Sequence, residues 1–419
     1  MVHLRFILLS LFAVICVDAL PQSLQRVAPG EVGLDAKQLS YVDPVIEGAI
    51  KEGRAPGAVL AIVRHGKMAF LKAYGNRQVY PFRQPMTTNT VFDMASCSKS
   101  MSTAVCVMVL MERGLLRPSD PVNEYIPGFQ SWRNGKDSVT IRIVDLLTHT
   151  SGLPPYAPIQ ELKEKYGSPN PGKLMEYIST CKRDFRPETV FQYSCLNYIT
   201  LQHVIENISH QSLRDFAAQN IFIPLGMNHT DYLPCKQNRR GKWVNTDQPR
   251  WIKNGEAEGI TPIAPTEKQP DGSVLLGQVH DPLARVMNGG ISGNAGVFTS
   301  ADDVAVLCAA LLNGGSWNGH RILHPLTVKM MTTVPKGLEA FGRTMGWDNS
   351  SPYCSPKGDM LSKDTYCHSG YTGTSIVVDP DNDLAIILLT NGVHPVDKSN
   401  VIRLRAMVAN VVAGSIIGK

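Results

Sequence analysis

The chain has 419 residues, 43% hydrophobic and 18% charged, enough to bury a core in one large domain or two intimate lobes. Its formal net charge is only +5, with Lys and Arg scattered along the chain. No basic run tracks a phosphate backbone, which speaks against nucleic acid as a partner.

Residues 1–19 read as a signal peptide. Arg5 gives a positive start, Phe6 to Val17 is mostly apolar, and Val17-Asp18-Ala19 offers tolerated cleavage residues. The apolar run is too short to span a hydrocarbon core of ~30 Å, and no other stretch is long enough. A secreted or periplasmic protein without an integral membrane segment is therefore expected, an uncleaved N-terminal anchor being the alternative. Beyond the signal lie Cys97, Cys106, Cys181, Cys195, Cys235, Cys308, Cys354 and Cys367. Cys106 and Cys308 sit in apolar helical runs and read as small buried hydrophobes; Cys354 and Cys367 flank a loop and are the pair to suspect of a disulfide. No Cys-x-x-Cys or His-x-x-x-His spacing suggests a metal, and no cofactor is implied.

In chain order, Asp35 to Lys51 has helical spacing of apolar residues. Ala58 to Val63 and Met68 to Tyr74 are β-rich and separated by the turn Arg64-His65-Gly66-Lys67, a hairpin signal. From Ala95 to Leu116 the period becomes helical, and Gly114 closes it. Further helices are expected at Ile143 to Leu147, Pro171 to Thr180, Asn197 to Ile208, Leu213 to Asn220 and Ser300 to Asn313. Between them, 236–277 is polar, Pro-punctuated and poorly periodic, a surface loop or a lid. Thr374 to Val378 and Leu384 to Thr390 are strands around Asp379-Pro380-Asp381-Asn382, and Asn400 to Ile417 is a final amphipathic helix. Tight turns between neighbouring strands imply an antiparallel sheet. The expected class is α/β (α+β): an antiparallel sheet flanked by helices, from about 20–95 and 290–419, with a helical lobe from about 96–289.

The chemistry centres on Ser96-Cys97-Ser98-Lys99, opening the helix that runs to Leu116. Residues three apart share a helical face, so the hydroxyl and the amine can meet. Serine needs a base to take its proton, and a lysine serves if burial and neighbours lower its pKa from about 10.4. The plainer reading is an ordinary helix start with Ser96 as N-cap. Ser179-Thr180-Cys181-Lys182 matches the same pattern but lacks an apolar helix to bury its lysine. Tyr193, in Phe191-Gln192-Tyr193-Ser194-Cys195, can project a phenol into a cleft and act as general base near a lysine; alone it reads equally as a packing residue. His368-Ser369-Gly370-Tyr371-Thr372-Gly373 enters a late strand whose small residues let a substrate backbone approach, and the Tyr371 N–H could pair with that of Ser96 around an oxyanion.

These elements in this order resemble the serine β-lactamase and penicillin-binding family, with its S-x-x-K, Y-x-N, and K-T-G or H-x-G motifs. The likeness is to class C β-lactamases, β-lactamase-like esterases, D-aminopeptidases and D,D-carboxypeptidases. Leu146-Leu147-Thr148-His149-Thr150-Ser151-Gly152-Leu153, Pro224-Leu225-Gly226-Met227 and Asn294-Ala295-Gly296-Val297-Phe298-Thr299-Ser300 are similar to family segments too. The resemblance implies Ser96 as acyl-accepting nucleophile, Lys99 as its proton partner and Tyr193 as base and later acid. It implies that His368 replaces the third-motif lysine, holding a substrate carboxylate or tuning Tyr193, and that the Ser96 and Tyr371 backbone form the oxyanion hole. Cys195 departs from the pattern, standing where the family has asparagine; a thiol donates only weakly. Hydrolysis of an ester or a peptide- or muropeptide-like amide is therefore expected ahead of β-lactam or D,D-carboxypeptidase turnover. A non-catalytic binding homologue is the alternative from another class, and a cysteine hydrolase using Cys97 or Cys195 lacks a histidine the sequence can place.

Overall fold

A computed structural model of the chain describes residues 23–252, 262–397 and 400–417. The expected signal peptide lies outside the described residues. Among the described residues, no helix is long and apolar enough to cross a membrane.

The main sheet has six strands: β1 (Gly57–Arg64), β2 (Lys67–Gln78), β3 (Gln84–Pro85), β4 (Tyr366–Ser369), β5 (Ser375–Asp379) and β6 (Leu384–Thr390). Their spatial order is β4-β5-β6-β1-β2-β3, and every neighbouring pair is antiparallel. The first hairpin and the last therefore meet in the centre, where Ala58 to Arg64 runs against Thr390 to Leu384. β1 and β6 are apolar without alternation because both sheet faces are covered. Val59, Ala61, Ile387 and Leu389 pack into the larger core with α4 (Ala301–Leu312). Ala58, Leu60, Ile386 and Leu388 face the smaller core under α1 (Val42–Lys51) and α5 (Ile402–Gly414).

The larger core continues through α2 (Val105–Glu112) and α3 (Cys195–Ser209), and Cys106 and Cys308 are wholly buried in it, as expected. The expected helix from Ala95 to Leu116 is not uniform, since Lys99–Ala104 forms a wider π-type turn before α2 begins. The first expected helix is likewise broken into Ala36–Leu39 and α1. A second sheet escaped the sequence pattern: Val91–Asp93 pairs with Val297–Ser300, which pairs with Asp231–Tyr232. Strands of two to four residues are too short to show a period.

The stretch 236–277 is more ordered than a bare loop or lid. Cys235–Gln237 pairs with Trp243–Asn245, and Ala264, Thr266 and Leu275 are buried. Val91 donates its N–H to the Pro262 carbonyl, and Ala264 donates back to that of Val91. Its middle, 253–261, lies outside the described residues.

Because Ile387 is fully buried opposite Ala61, Ile387→Ala should lower stability by about 2–5 kcal/mol. Leu326→Ala, at an exposed side chain, should stay within about 0.5 kcal/mol. Urea midpoints of the two variants at equal m-value check the difference.

Candidate active site

The site begins where Val91–Asp93 ends. Asp93 is buried, and its carboxylate accepts the N–H groups of Ala95 at 2.9 Å and His280 at 2.6 Å. That pair holds Ala95 in a left-handed conformation, φ 45°, which turns Ser96 out at the start of the helical run. From the other side, Thr372 donates its hydroxyl to the Asp93 carbonyl and Thr374 to that of Met94. Gly370 makes this approach possible, because a Cβ there would fall on Thr374 Oγ1 and within 2.5 Å of the Met94 carbonyl oxygen. Among the described residues, the backbone N–H groups of Ser96 and Tyr371 donate to no protein acceptor. They are free for an oxyanion.

Lys99 is completely buried. Its Nζ donates to Ser96 Oγ at 3.0 Å and to the Asn294 carbonyl at 2.7 Å, with Cys195 Sγ at 3.8 Å. It also lies 5.1 Å from the Tyr193 ring centre and 5.8 Å from that of Tyr198. Burial opposes the ammonium, but the acidic neighbours, Cys195 first and Tyr193 next, outweigh it and hold the pKa above its ordinary value. The condition for a lysine base, a lowered pKa, is thus not met: Lys99 rests as a cation.

Tyr193 is the complementary group. Its hydroxyl is sealed from solvent and makes no hydrogen bond with protein in the resting arrangement. Burial raises its pKa, against the pull of Lys99 and Ser96, which stand near enough to favour the phenolate. The Leu146–Leu153 segment, which resembles the family's own, positions it. The His149 carbonyl accepts the Gln192 N–H, and His149 Nδ1 accepts those of Ser194 and the Asn197 side chain, all at 3.0–3.1 Å. The His149 ring lies 4.3 Å from that of Tyr193. Asn197 is therefore engaged with His149 and Ser151, away from Lys99. Cys195 alone occupies the place next to the lysine where the family pattern has an amide.

His368, expected in the place of the third-motif lysine, lies on the cleft wall with its ring centre 6.2 Å from that of Tyr193. It is buried, its Nδ1 is bonded to the Ser369 carbonyl, and its Nε2 has no partner. Burial, reinforced by the charges of Arg343 and Lys99, pushes its pKa well below the ordinary value, so it is a neutral imidazole and brings no charge. Ser96, Tyr193, His368, Ser369, Gly370 and Tyr371 line one cleft of about 550 Å³. Sequence reasoning missed Arg343, Tyr353 and Arg405 on its walls. Tyr353 stacks on Tyr193 with ring centres 5.2 Å apart, and Arg405 clamps the carbonyls of Gly370 and Thr374. A single Arg in an irregular loop, or on a surface-patterned helix, carries no sequence signal for such a place. Ser179-Thr180-Cys181-Lys182 ends a helix elsewhere and takes no part. Cys97 is buried against the His368 carbonyl, with burial pushing its thiol up to about 11, unsuited to a nucleophile.

A hydroxyl, a buried ammonium, a phenol and two free N–H groups can together deprotonate a serine and hold an oxyanion. Comparison with known proteins gives the family. The Beta-lactamase family model matches residues 42–410. A curated protein of Escherichia coli strain K12, named "Putative D-alanyl-D-alanine carboxypeptidase", is 32% identical over 400 residues, covering 92% of this chain and 90% of that protein. EstCE1, a hydrolase with promiscuous acyltransferase activity, superposes with a TM-score of 0.67 at 22% identity, covering 90% of this chain and 99% of its own. The penicillin-binding protein homologue from Pyrococcus abyssi gives 0.60 at 21% identity, with coverage of 90% and 79%. The chain belongs to the Beta-lactamase family, a family of serine hydrolases that includes esterase- and peptidase-like members.

Proposed function

We propose that the protein is an exported hydrolase that cleaves an ester, or a peptide- or muropeptide-like amide, through an acyl-enzyme on Ser96. The observation that carries this reading is the buried Lys99 ammonium donating to Ser96 Oγ at 3.0 Å, beside a phenol that has no other partner. The E. coli relative's name supports the amide branch, and the fold shared with EstCE1 suits the ester branch.

The steps follow from the proton inventory. With Lys99 keeping its proton, the base is Tyr193 as phenolate, favoured by the adjacent ammonium. It takes the Ser96 proton as Oγ attacks the substrate carbonyl, and the Ser96 and Tyr371 N–H groups receive the developing oxyanion. The Tyr193 hydroxyl then protonates the leaving oxygen or nitrogen as its bond to carbon breaks. Water, deprotonated by the same phenolate, attacks the acyl-enzyme; the Tyr193 hydroxyl then returns that proton to Ser96 Oγ as its bond to the acyl carbon breaks, releasing the acid. β-Lactam turnover is the weaker reading, because Cys195 cannot supply the amide donor and acceptor of the family's asparagine.

Intact mass after treatment with a fluorophosphonate should show a single adduct on the wild type and none on folded Ser96→Ala. Equal labelling of the two would overturn the assignment of the nucleophile. Tyr193→Phe and Lys99→Ala should each lose about 10²–10⁴ in kcat/KM on whichever ester is turned over. Gly370→Ala should lose activity as well, since the added methyl pushes the strand end off the Met94-Ala95 turn.

The pH profile separates this base from a histidine. Burial keeps His149 and His368 neutral well below the ordinary imidazole range, so neither titrates near neutrality. Tyr193 and Lys99 are both held above their ordinary values, so the phenolate fraction grows as pH rises. kcat/KM should climb from about pH 7 to beyond about pH 9 without an inflection near the usual histidine pKa of about 6.5. An inflection there, abolished in His368→Asn, would assign the base to the imidazole.

A further inference from the structure

Among the described residues, Cys354 and Cys367 are the two thiols that touch, with their sulfurs 3.4 Å apart. An irregular loop brings one and a strand the other. Asp348 and Cys367 exchange backbone hydrogen bonds at 2.8 and 2.9 Å, which lays the chain after Asp348 along the edge of β4. The Asp348 carboxylate then accepts the N–H and the hydroxyl of Ser351, and Cys354 donates its N–H to the Ser351 carbonyl. These turns fold the loop back until Cys354 meets Cys367. Cys367 is fully buried and Cys354 is 5% exposed, both in the smaller core.

Joining the two sulfurs leaves no acceptor stranded. The Cys354 thiol donates to the Asn349 carbonyl at 2.8 Å, but Lys357 Nζ donates to the same carbonyl at 2.7 Å. That carbonyl keeps a partner once the thiol proton has gone. The places of the two residues matter as much as their contact. Cys354 follows Tyr353, whose half-exposed ring is stacked on Tyr193 and edge-on to Phe191 at 5.8 Å. Cys367 precedes His368 in β4, and Tyr353 and His368 line the same cleft. A bond between the sulfurs therefore ties the loop wall of the cleft to its strand wall.

We propose that Cys354 and Cys367 form a disulfide that fixes the Tyr353 loop to β4 and holds the Tyr353 ring on the Tyr193 phenol. The oxidant is a disulfide-bearing exchange partner, protein or small molecule, of the kind an exported chain meets. Cys354, the less buried of the two, attacks it as thiolate; a mixed disulfide forms and the first donor thiolate leaves. The Cys367 thiolate then attacks Cys354 Sγ, the mixed disulfide breaks and the second donor thiolate leaves. Two protein thiols are oxidised, the donor disulfide is reduced to two thiols, and the two cysteine protons end on them. The bond itself does not need the reading of Ser96 as nucleophile; only its effect on turnover rests on that reading.

The wild type, equilibrated with glutathione disulfide, is denatured in iodoacetamide and digested without reduction. A peptide cross-linked through Cys354 and Cys367 is expected, absent after dithiothreitol and absent from Cys354→Ser. Alkylation of both residues in the oxidised sample overturns the proposal. The bond should raise Tm by about 3 °C over the reduced wild type, a comparison that needs no variant to fold. It should also slow nitration of Tyr353 by tetranitromethane about twofold or more, by suppressing local opening of the loop. On an ester that is turned over, reduction should lower kcat/KM about two- to tenfold, and Cys354→Ser should match the reduced enzyme in either redox state. A cross-linked protein whose Tyr353 nitration equals that of the reduced form overturns the hold on the ring. If fluorophosphonate leaves Ser96 unlabelled, the nucleophile falls, while the cross-linked peptide and slowed nitration still support the bond and its hold.

Discussion

The buried ammonium of Lys99 is the constraint around which the site is organised. A charge with no solvent contact is tolerated only where hydrogen-bond acceptors replace its hydration. Here those are the Ser96 hydroxyl and the Asn294 carbonyl, with the Cys195 thiol and two aromatic faces completing the shell. Each comes from a different part of the chain. The helical run brings the lysine and serine, the Asn294–Ser300 segment brings the carbonyl, and α3 with the residues before it brings the thiol and the phenol. Folding these segments together and solvating the lysine are therefore the same event, which links the stability of the core to the geometry of the nucleophile.

The second dependency is the close contact between the Met94-Ala95 turn and the end of β4. Thr372, Thr374 and Gly370 draw that strand end onto the residues just before Ser96. This contact places the Tyr371 N–H within the same cleft as the Ser96 N–H. It is backbone work, done by small residues and two hydroxyls. The Asp93 carboxylate completes it by fixing Ala95 and His280 at once. Burial raises the Asp93 pKa while those two backbone donors pull it down, so its hold on the turn weakens if it is protonated.

How much of this could be read in the sequence follows from how each signal arises. The central strands were legible because both faces are buried, which leaves residues 58–63 and 384–389 apolar throughout. Ser96, Lys99 and Tyr193 were legible because a helical offset of three and a motif order encode their proximity. The small sheet through Val91–Asp93 was not, since strands this short have no period. Arg343 was invisible for a different reason. Its partner Asp348 is five residues away in an irregular segment, and nothing in composition or spacing says that one edge of its guanidinium remains unpaired. The direction of the Lys99 pKa was not legible, because it depends on Cys195 and Tyr193, which only the fold brings beside it.

Cys195, which departs from the family pattern, and His368, the histidine form of the third motif, shape the charge map of the cleft. An asparagine beside the lysine would be a neutral dipole with both donor and acceptor; Cys195 offers a soft acceptor whose thiol burial pushes up, against the pull of the neighbouring ammonium. A lysine in the third motif would put a second cation on the strand; His368 is neutral and leaves that place without charge. The positive charge of the cleft is thereby moved off β4 and onto Arg343 and Arg405, on elements that the motif comparison does not cover. Arg343 stands 5.8 Å from the centre of the Tyr193 ring and adds to the pull of Lys99 on that phenol, against the burial that raises its pKa.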